Sequence, residues 1–330
     1  MLREYKDRIF SISSNAEFDE LALWAFQYQY QNVEVYSQFV NALGIDPTKV
    51  ISLNAVPFLP IEFFRSHRVL DRNAPSASLE FHSSGSTSDT LSLHWVADPE
   101  LYERSFIECF KRYIGPPEEC IILALLPSYL ERPNSSLVYM VTELIRLSHQ
   151  PLAGFFSEPD PVFLGNLHSA IKSGTKTLVI GVSFALLDWA NTNPISIPQV
   201  QIMETGGMKG RAKELTREEL HSTLQRAFSV RGILSEYGMT ELLSQGYSLG
   251  KGVFQTPPWM RVVFRDPLNP MQTEVNSGGI NVIDLANIHS CCFISTQDVG
   301  EKTTDGFVVA GRFDNADVRG CNLLIHHQSP

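Results

Sequence analysis

Four short segments of this chain gather the residue types that handle anionic ligands. Phe81-His82-Ser83-Ser84-Gly85-Ser86-Thr87-Ser88-Asp89-Thr90 offers backbone N–H groups and a run of hydroxyls to one small volume. Phosphate oxygens accept several hydrogen bonds at once and favour that arrangement. No GxxxxGK[ST] occurs in the chain, so this is not a Walker loop, and a solvated turn or helix cap would use the same residues. His82 beside it could contact a carboxylate or a phosphate, or be a satisfied structural histidine. Met203-Glu204-Thr205-Gly206-Gly207-Met208-Lys209-Gly210-Arg211 pairs two glycines, which would let a flat ring or a phosphate approach the backbone; a plain strand-to-helix turn is the alternative. Ser235-Glu236-Tyr237-Gly238-Met239-Thr240-Glu241 supplies a ring that can stack on a base, a hydroxyl donor, and in Glu a hard oxygen ligand suited to Mg²⁺. Gln297-Asp298, Asp305-Gly306 and Gly311-Arg312-Phe313-Asp314 could set a carboxylate and a guanidinium on opposite sides of one ligand, although Asp-Gly and Gly-Arg are also ordinary turn pairs.

The first three segments each follow a stretch patterned as a strand. Apolar runs at 78–82, 120–126, 151–155, 176–180, 200–204 and 231–235 alternate with helical spacing at 99–113, 137–148, 161–171, 184–190 and 217–228. That alternation predicts parallel βαβ units, and open α/β sheets bind ligands at the carboxyl ends of their strands. Upstream, 18–43 has helical spacing with Asn15 as its cap, and Pro57 and Pro60 leave 50–70 irregular. Beyond Gly250 the helical period vanishes and β-like runs remain at 261–264, 279–284, 291–296 and 307–310. The expected organisation is an α/β core with an N-terminal helical region over 1–250 and a β-rich subdomain over 251–330.

The composition is that of a folded domain. Apolar residues make up 43% of the 330 and charged residues 19%, well mixed, which excludes a disordered, collagen-like or coiled-coil chain. A net charge of −10 with no basic run argues against general binding to nucleic acid or anionic membranes, so local donors must hold any polyanion. MLREYKDRIF lacks the apolar region of a leader and the run at 120–127 is too short to span a bilayer, which predicts a cytoplasmic protein without a membrane span. Five cysteines without a CxxC point to free thiols in a reducing compartment, with Cys291-Cys292 in the core. His326-His327 has no carboxylate or cysteine beside it and carries no zinc assignment.

In their order and spacing the four segments resemble the adenylate-forming superfamily of acyl-activating ligases, over residues 55–321. Ser83 to Ser88 is similar to its Ser/Thr/Gly phosphate loop, Gly206-Gly207 to its adenine-side glycines, Tyr237-Gly238-Met239-Thr240-Glu241 to its YGxTE motif, and Asp298 through Arg312 to its TGD…DG…GR tract. Within the superfamily the chain resembles the acyl-protein synthetases of bioluminescence and their non-luminous relatives, which are related to phenylacetate–CoA ligases. Glu204 to Arg211 and Val318-Arg319-Gly320-Cys321-Asn322-Leu323-Leu324 carry that likeness.

The resemblance implies an ANL-type α/β fold using ATP and Mg²⁺. Ser83, Ser84, Gly85, Ser86, Thr87 and Ser88 would hold the β- and γ-phosphates, and Gly206, Gly207 and Tyr237 would flank adenine. Thr240 would touch the α-phosphate region and Glu241 would hold Mg²⁺. Asp298 would take the ribose hydroxyls, with Arg312 near ribose or phosphate. His82, Met208, Gly238 and Met239 would line the acid. It further implies a fatty or related carboxylic acid activated as acyl-AMP, transfer to Cys321 as a thioester, and an acyl reductase or carrier as partner. A free thiol of pKa about 8.5 is little ionised at neutral pH, and Arg319 could raise that fraction.

The chain also departs from the superfamily pattern. No lysine follows the phosphate loop at 89–94, and Gln297 stands between Thr296 and Asp298. The usual C-terminal lid, with its lysine, has no counterpart after Cys321, which leaves Lys209, Arg211 or Arg319 to neutralise the forming acyl phosphate. An ATP-independent acyltransferase drawing on a thioester donor, or an idle nucleotide- or acyl-binding subunit, remains open on that ground.

Overall fold

The computed structural model describes residues 2–74, 76–83, 91–127, 134–206, 215–273 and 275–313. Helices α1 (Leu2–Arg8), α2 (Asn15–Asn32) and α3 (Glu34–Ala42) come first. The cap of α2 is Ser14 and not Asn15: the Ser14 hydroxyl accepts from the Glu17 N–H at 3.2 Å, while the Glu17 carboxylate takes the Ser13 N–H at 2.8 Å. The single helical stretch expected over 18–43 is split at Val33. Its side chain is fully buried, its backbone is extended (φ −104°, ψ 102°), and it bridges to Asp71. Between Pro57 and Leu70 lie a short strand, β1 (Leu59–Pro60), and one turn of helix, α4 (Phe63–Ser66). Pro60 has no N–H to donate and is tolerated because β1 stands at a sheet edge.

β2 (Leu79–His82) pairs antiparallel with β3 (Leu93–Val96), His82 opposite Leu93. The α/β alternation follows. α5 (Pro99–Tyr113) is capped by Asp98, whose carboxylate accepts from the Leu101 N–H at 3.0 Å, with Pro99 in the first turn. β4 (Cys120–Leu125), α6 (Ser136–Ser148), β5 (Gly154–Phe156), α7 (Pro161–Ser173), β6 (Lys176–Val182), α8 (Ser183–Thr192), β7 (Gln201–Thr205), α9 (Arg217–Phe228), β8 (Leu234–Tyr237) and β9 (Gly246–Ser248) complete the central sheet and its helices. Asp160 caps α7, a capping box of Thr216 and Glu219 starts α9, and Gly174 at φ +72° ends α7 in the left-handed conformation that glycine adopts freely.

The sheet order is β5-β4-β6-β7-β8-β9, parallel throughout except for β8 against β9. Every residue of β4 is buried, and all of β6 except Lys176, so both faces of the sheet are covered. A second sheet, of β10 (Met260–Arg265), β11 (Ser277–Asp284), β12 (Phe293–Thr303) and β13 (Gly306–Arg312), adds β1 as a parallel neighbour of β12.

Buried polar groups tie the N-terminal helices and both sheets together. Gln29 of α2 is wholly buried; its amide donates to the Asn287 and Ile288 carbonyls at 3.0 and 2.9 Å and accepts from the Cys292 N–H at 2.9 Å. Asp284, at the end of β11, accepts from the Leu243 and Ser244 N–H groups and the Ser244 hydroxyl at 2.8, 2.9 and 2.6 Å. That clamp fixes the segment between β8 and β9 against the second sheet. Among the described residues no helix is long and apolar enough to cross a membrane.

Candidate active site

A cleft of about 120 Å³ opens where β7 and β8 end. Thr205, Gly206, Glu236, Gly238, Met239, Thr240 and Gln245 line it from those strand ends, and His82, Tyr102, Leu137 and Met140 face them. This is the carboxyl edge of a parallel sheet, the ligand-binding edge of open α/β folds. Gly206 sits at φ +71° with open space where a side chain would stand, and its carbonyl accepts the Ser183 hydroxyl at 2.6 Å.

Beside the cleft, three of the sequence-predicted residues are joined directly. The Tyr237 hydroxyl donates to Asp298 Oδ2 at 2.8 Å, and Arg312 Nε donates to Asp298 Oδ1 at 2.9 Å. The register makes this possible, because Asp298 on β12 stands opposite Arg312 on β13. The Tyr237 ring packs against both Phe254 and Phe307, with centroids 5.8 and 5.5 Å away. Burial first, and then the neighbouring Asp298 charge, push its phenol well up, so the hydroxyl stays a donor. The Asp298 side chain is only 7% exposed while that of Arg312 is 67% exposed. A shielded acceptor next to a solvent-facing cation suits a ligand that carries both hydroxyls and phosphate.

Glu241 lies deeper. Burial pushes its carboxyl up, the Ser92 hydroxyl partly offsets this, and Arg312 and Arg65 act on it at longer range. A buried carboxylate that no cation among the described residues contacts is the kind of group a divalent metal would stabilise, and its hard oxygens suit Mg²⁺. No group of three or more His, Cys, Asp or Glu gathers around a metal position among the described residues. A Mg²⁺ held by one carboxylate and ligand phosphates needs no such group. The backbone on either side is braced by residues that the sequence reading did not single out. His94 Nδ1 lies 2.7 Å from the Thr240 carbonyl, and the Asn287 amide donates to the Glu241 carbonyl at 2.8 Å. Burial lowers His94 to about 4, so the ring is neutral and its Nδ1–H donates.

Two further carboxylates, Glu204 and Glu236, occupy neighbouring strands. Glu204 pairs in register with Ser235 and Thr205 with Glu236, so side-chain alternation sends Glu204 to one face of the sheet and Glu236 to the other, toward the cleft. Burial would raise Glu204, but His221 and the Arg217 charge outweigh it and hold the carboxyl below its usual range. Arg217 Nε and His221 Nε2 lie 3.5 and 3.6 Å from Oε1, and the Ser183 hydroxyl, shared with the Gly206 carbonyl, lies 3.0 Å from Oε2. Among the described residues Glu236 has only the Thr205 hydroxyl, at 2.5 Å, and burial, with a smaller push from the Glu204 charge, raises it to about 7.

Of the other predicted site residues, His82 lines the cleft with Nε2 2.5 Å from Glu80 Oε1. The Ser83 hydroxyl accepts from the Ser92 N–H at 3.0 Å, closing the neck of the proposed phosphate loop. Ser84, Gly85, Ser86, Thr87, Ser88, Gly207, Met208, Lys209, Arg211, Arg319 and Cys321 lie outside the described residues. Glu236, Gln245, His94 and Asn287 are the residues around the site that the sequence reading gave no role.

No family model matches the chain. In sequence it is 25% identical to a long-chain-fatty-acid–luciferin-component ligase of Vibrio harveyi, over 326 residues that span 91% of this chain and 84% of that protein. In structure it is similar to an open conformation of 2-hydroxyisobutyryl-CoA ligase in complex with 2-HIB-AMP and CoA, with a TM-score of 0.63 at 12% identity, covering 91% of this chain and 76% of that one. It is also similar to MatB from Rhodopseudomonas palustris, with a TM-score of 0.50 at 14% identity, covering 74% of this chain and 49% of that one. In fold the chain matches adenylate-forming ligases, and in sequence it is similar to a fatty-acid ligase.

Proposed function

We propose that this protein activates a carboxylic acid with ATP and Mg²⁺, forming an acyl-adenylate and pyrophosphate, and passes the acyl group to Cys321 for delivery to an acyl reductase or carrier protein. The observation that carries the reading is the Tyr237–Asp298–Arg312 triad beside the cleft. It offers a buried acceptor for ribose hydroxyls and an exposed guanidinium for phosphate, and a transferase working only between protein-bound thioesters needs neither. Glu241 would hold Mg²⁺, which when bound neutralises phosphate charge. Thr240, Gly206 and Gly207 would border the nucleotide; His82, Met208 and Met239 would meet the acid. Adenylation is needed because a carboxylate is a poor electrophile; the enzyme's part is positioning and charge neutralisation. Lys209 and Arg319 are the proposed cations for the forming acyl phosphate.

Cys321 comes from the likeness to acyl-protein synthetases, and the burial of the other four cysteines supports it. Cys109, Cys120, Cys291 and Cys292 are all buried, and burial raises Cys120 to about 11 and Cys291 to about 12, with Cys109 and Cys292 also pushed up. Such thiols make poor nucleophiles. Incubation with radiolabelled fatty acid, ATP and Mg²⁺ should label the chain through a hydroxylamine-sensitive bond. Cys321→Ser should abolish the label while pyrophosphate release persists. Full labelling of the variant would rule out the Cys321 step. Labelling from an acyl thioester in ATP-free buffer would favour the transferase instead.

A further inference from the structure

We propose that the acid activated at this site is short, with at most about eight carbons, and that Tyr102 and Met140 set that limit. The proposal rests on the acyl-activating reading above and narrows its substrate class. The cleft at the ends of β7 and β8 holds about 120 Å³. Sites that enclose drug-sized ligands run to roughly 300–1,000 Å³. At about 10–15 Å³ for each water-sized group, the cleft takes about ten non-hydrogen atoms. His82, Gly206 and Thr240 line the same space, so part of it belongs to the reacting carboxylate and the nucleotide. A long alkyl chain has no room in the remainder.

The lining runs from exposed to buried. Gly206 and Gly238 are exposed and mark the mouth, while Tyr102, Met140 and Leu242 are each only 2% exposed and form the floor. The floor is fixed in place. The Tyr102 hydroxyl donates to the Ser136 carbonyl at 3.2 Å, and its ring stacks on Tyr139 with centroids 5.8 Å apart. Phe106 and Phe81 meet the same ring edge to face at 5.0 and 5.5 Å. Met140 stands one turn beyond Ser136, so α6 carries one floor residue and anchors the other. A close-packed floor of this kind yields to a growing chain only if its neighbours shift as well. The wall at β7 and β8 limits length for a second reason. It carries Thr205 and the half-buried Glu236, and a longer alkyl chain would cover that carboxyl without offering it a hydrogen bond. A short chain can rest on Leu137, Met140 and Met239 and leave Glu236 to water.

The test is pyrophosphate release by the full chain with unbranched acids from acetate to hexadecanoate, and with benzoate as a compact ring. Among the unbranched acids kcat/KM should peak at or below octanoate and be lower by about tenfold or more at tetradecanoate, because a pocket can reject even one surplus methylene by about that factor. Met140→Ala should deepen the cleft and raise the kcat/KM of decanoate relative to hexanoate by about tenfold, and Tyr102→Leu should act in the same direction. Folded variants that both keep the wild-type ratio would take the limit away from these two residues. A wild-type kcat/KM for tetradecanoate equal to or above that for octanoate overturns the proposal outright, and this arm needs no variant to fold. Pyrophosphate release that no acid raises above the acid-free rate overturns the acyl-activating reading itself and this proposal with it.

Discussion

Glu204 and Glu236 stand on adjacent strands, Glu204 buried and Glu236 half-buried, and they have opposite electrostatics. On its face of the sheet Glu204 is met by Arg217, His221 and Ser183, and it is held ionised. Arg217 also donates to the Val309 carbonyl at 2.9 Å and lies 4.9 Å from the Phe254 ring, so Glu204 anchors α9 to the second sheet. On the other face Glu236 has one hydroxyl partner and an open cleft, and burial keeps its proton on to about pH 7. Burial alone therefore does not decide what a carboxylate does. A fully partnered one belongs to the scaffold, and a partly partnered one beside a cleft is available to a ligand.

The largest expected effect tests the scaffold side. Glu204→Leu strands the Arg217 and His221 groups around an apolar side chain. Removing one partner of a buried ion pair costs about 3–5 kcal/mol; with Arg217 partly exposed, about 3 kcal/mol is expected in urea unfolding at neutral pH. A loss below about 1 kcal/mol would place Glu204 with the site residues instead. The next effect separates the two carboxylates by pH. The Glu236 pKa is raised when folded, so between the unfolded carboxyl value near 4.3 and about 7 the folded protein keeps a proton that the unfolded chain has released. Stability from this group falls as pH rises through that window and levels above it, by about 4 kcal/mol at most. Glu204 has the opposite sign: its contribution is present above the unfolded value and is lost as pH falls through its lowered folded value. Glu236→Gln should therefore flatten the decline between pH 5 and about 7, and Glu204→Gln should only reduce it, by removing the smaller contribution that the Glu204 charge makes to the Glu236 shift.

Gly238 gives a smaller and more local version of the same contrast. A Cβ there meets the Glu236 carboxyl at 2.4 Å, and that carboxyl is the movable end of a side chain. Gly238→Ala should cost about 1–2 kcal/mol and displace Glu236 from Thr205. In thermal unfolding it should lower the midpoint modestly, and the pH dependence assigned to Glu236 should shrink with it. An unchanged pH profile would show that the carboxyl tolerates the methyl where it stands.

Where the sequence was legible and where it was not follows the same line. The parallel alternation was readable because β4 and β6 are apolar on both faces, whereas Asp298 and Arg312, expected on opposite sides of one ligand, are joined directly by the β12–β13 register. β3 was not expected: its inward residues are His94 and Val96 while Leu93 and Trp95 face outward, which inverts the usual apolar-inward signal. β9, Gly246–Ser248, is too short and polar to announce a strand. The bracing hydrogen bonds of His94 and Asn287 and the clamp at Asp284 join segments far apart in the chain, and no local pattern encodes such a contact. Gln245 looks like an ordinary polar loop residue until its burial beside the cleft is seen.

The smallest stability effect is expected where function is expected most. The Arg312 side chain is 67% exposed, and an exposed ion pair contributes about 0–1 kcal/mol, even though its partner Asp298 is buried. Arg312→Ala should thus leave unfolding within about 1 kcal/mol of wild type. Tyr237 still donates to Asp298, so the buried carboxylate keeps one of its two partners. If the guanidinium serves a nucleotide, KM for ATP in pyrophosphate release should rise about tenfold or more, because a charge-assisted bond to phosphate contributes about 1.5–3 kcal/mol. Arg312→Lys should recover only part of this, since an ammonium lacks the planar fork. A variant with wild-type KM and lowered stability would reverse the assignment, making Asp298 and Arg312 a structural hairpin staple and Glu204 no longer distinct from them.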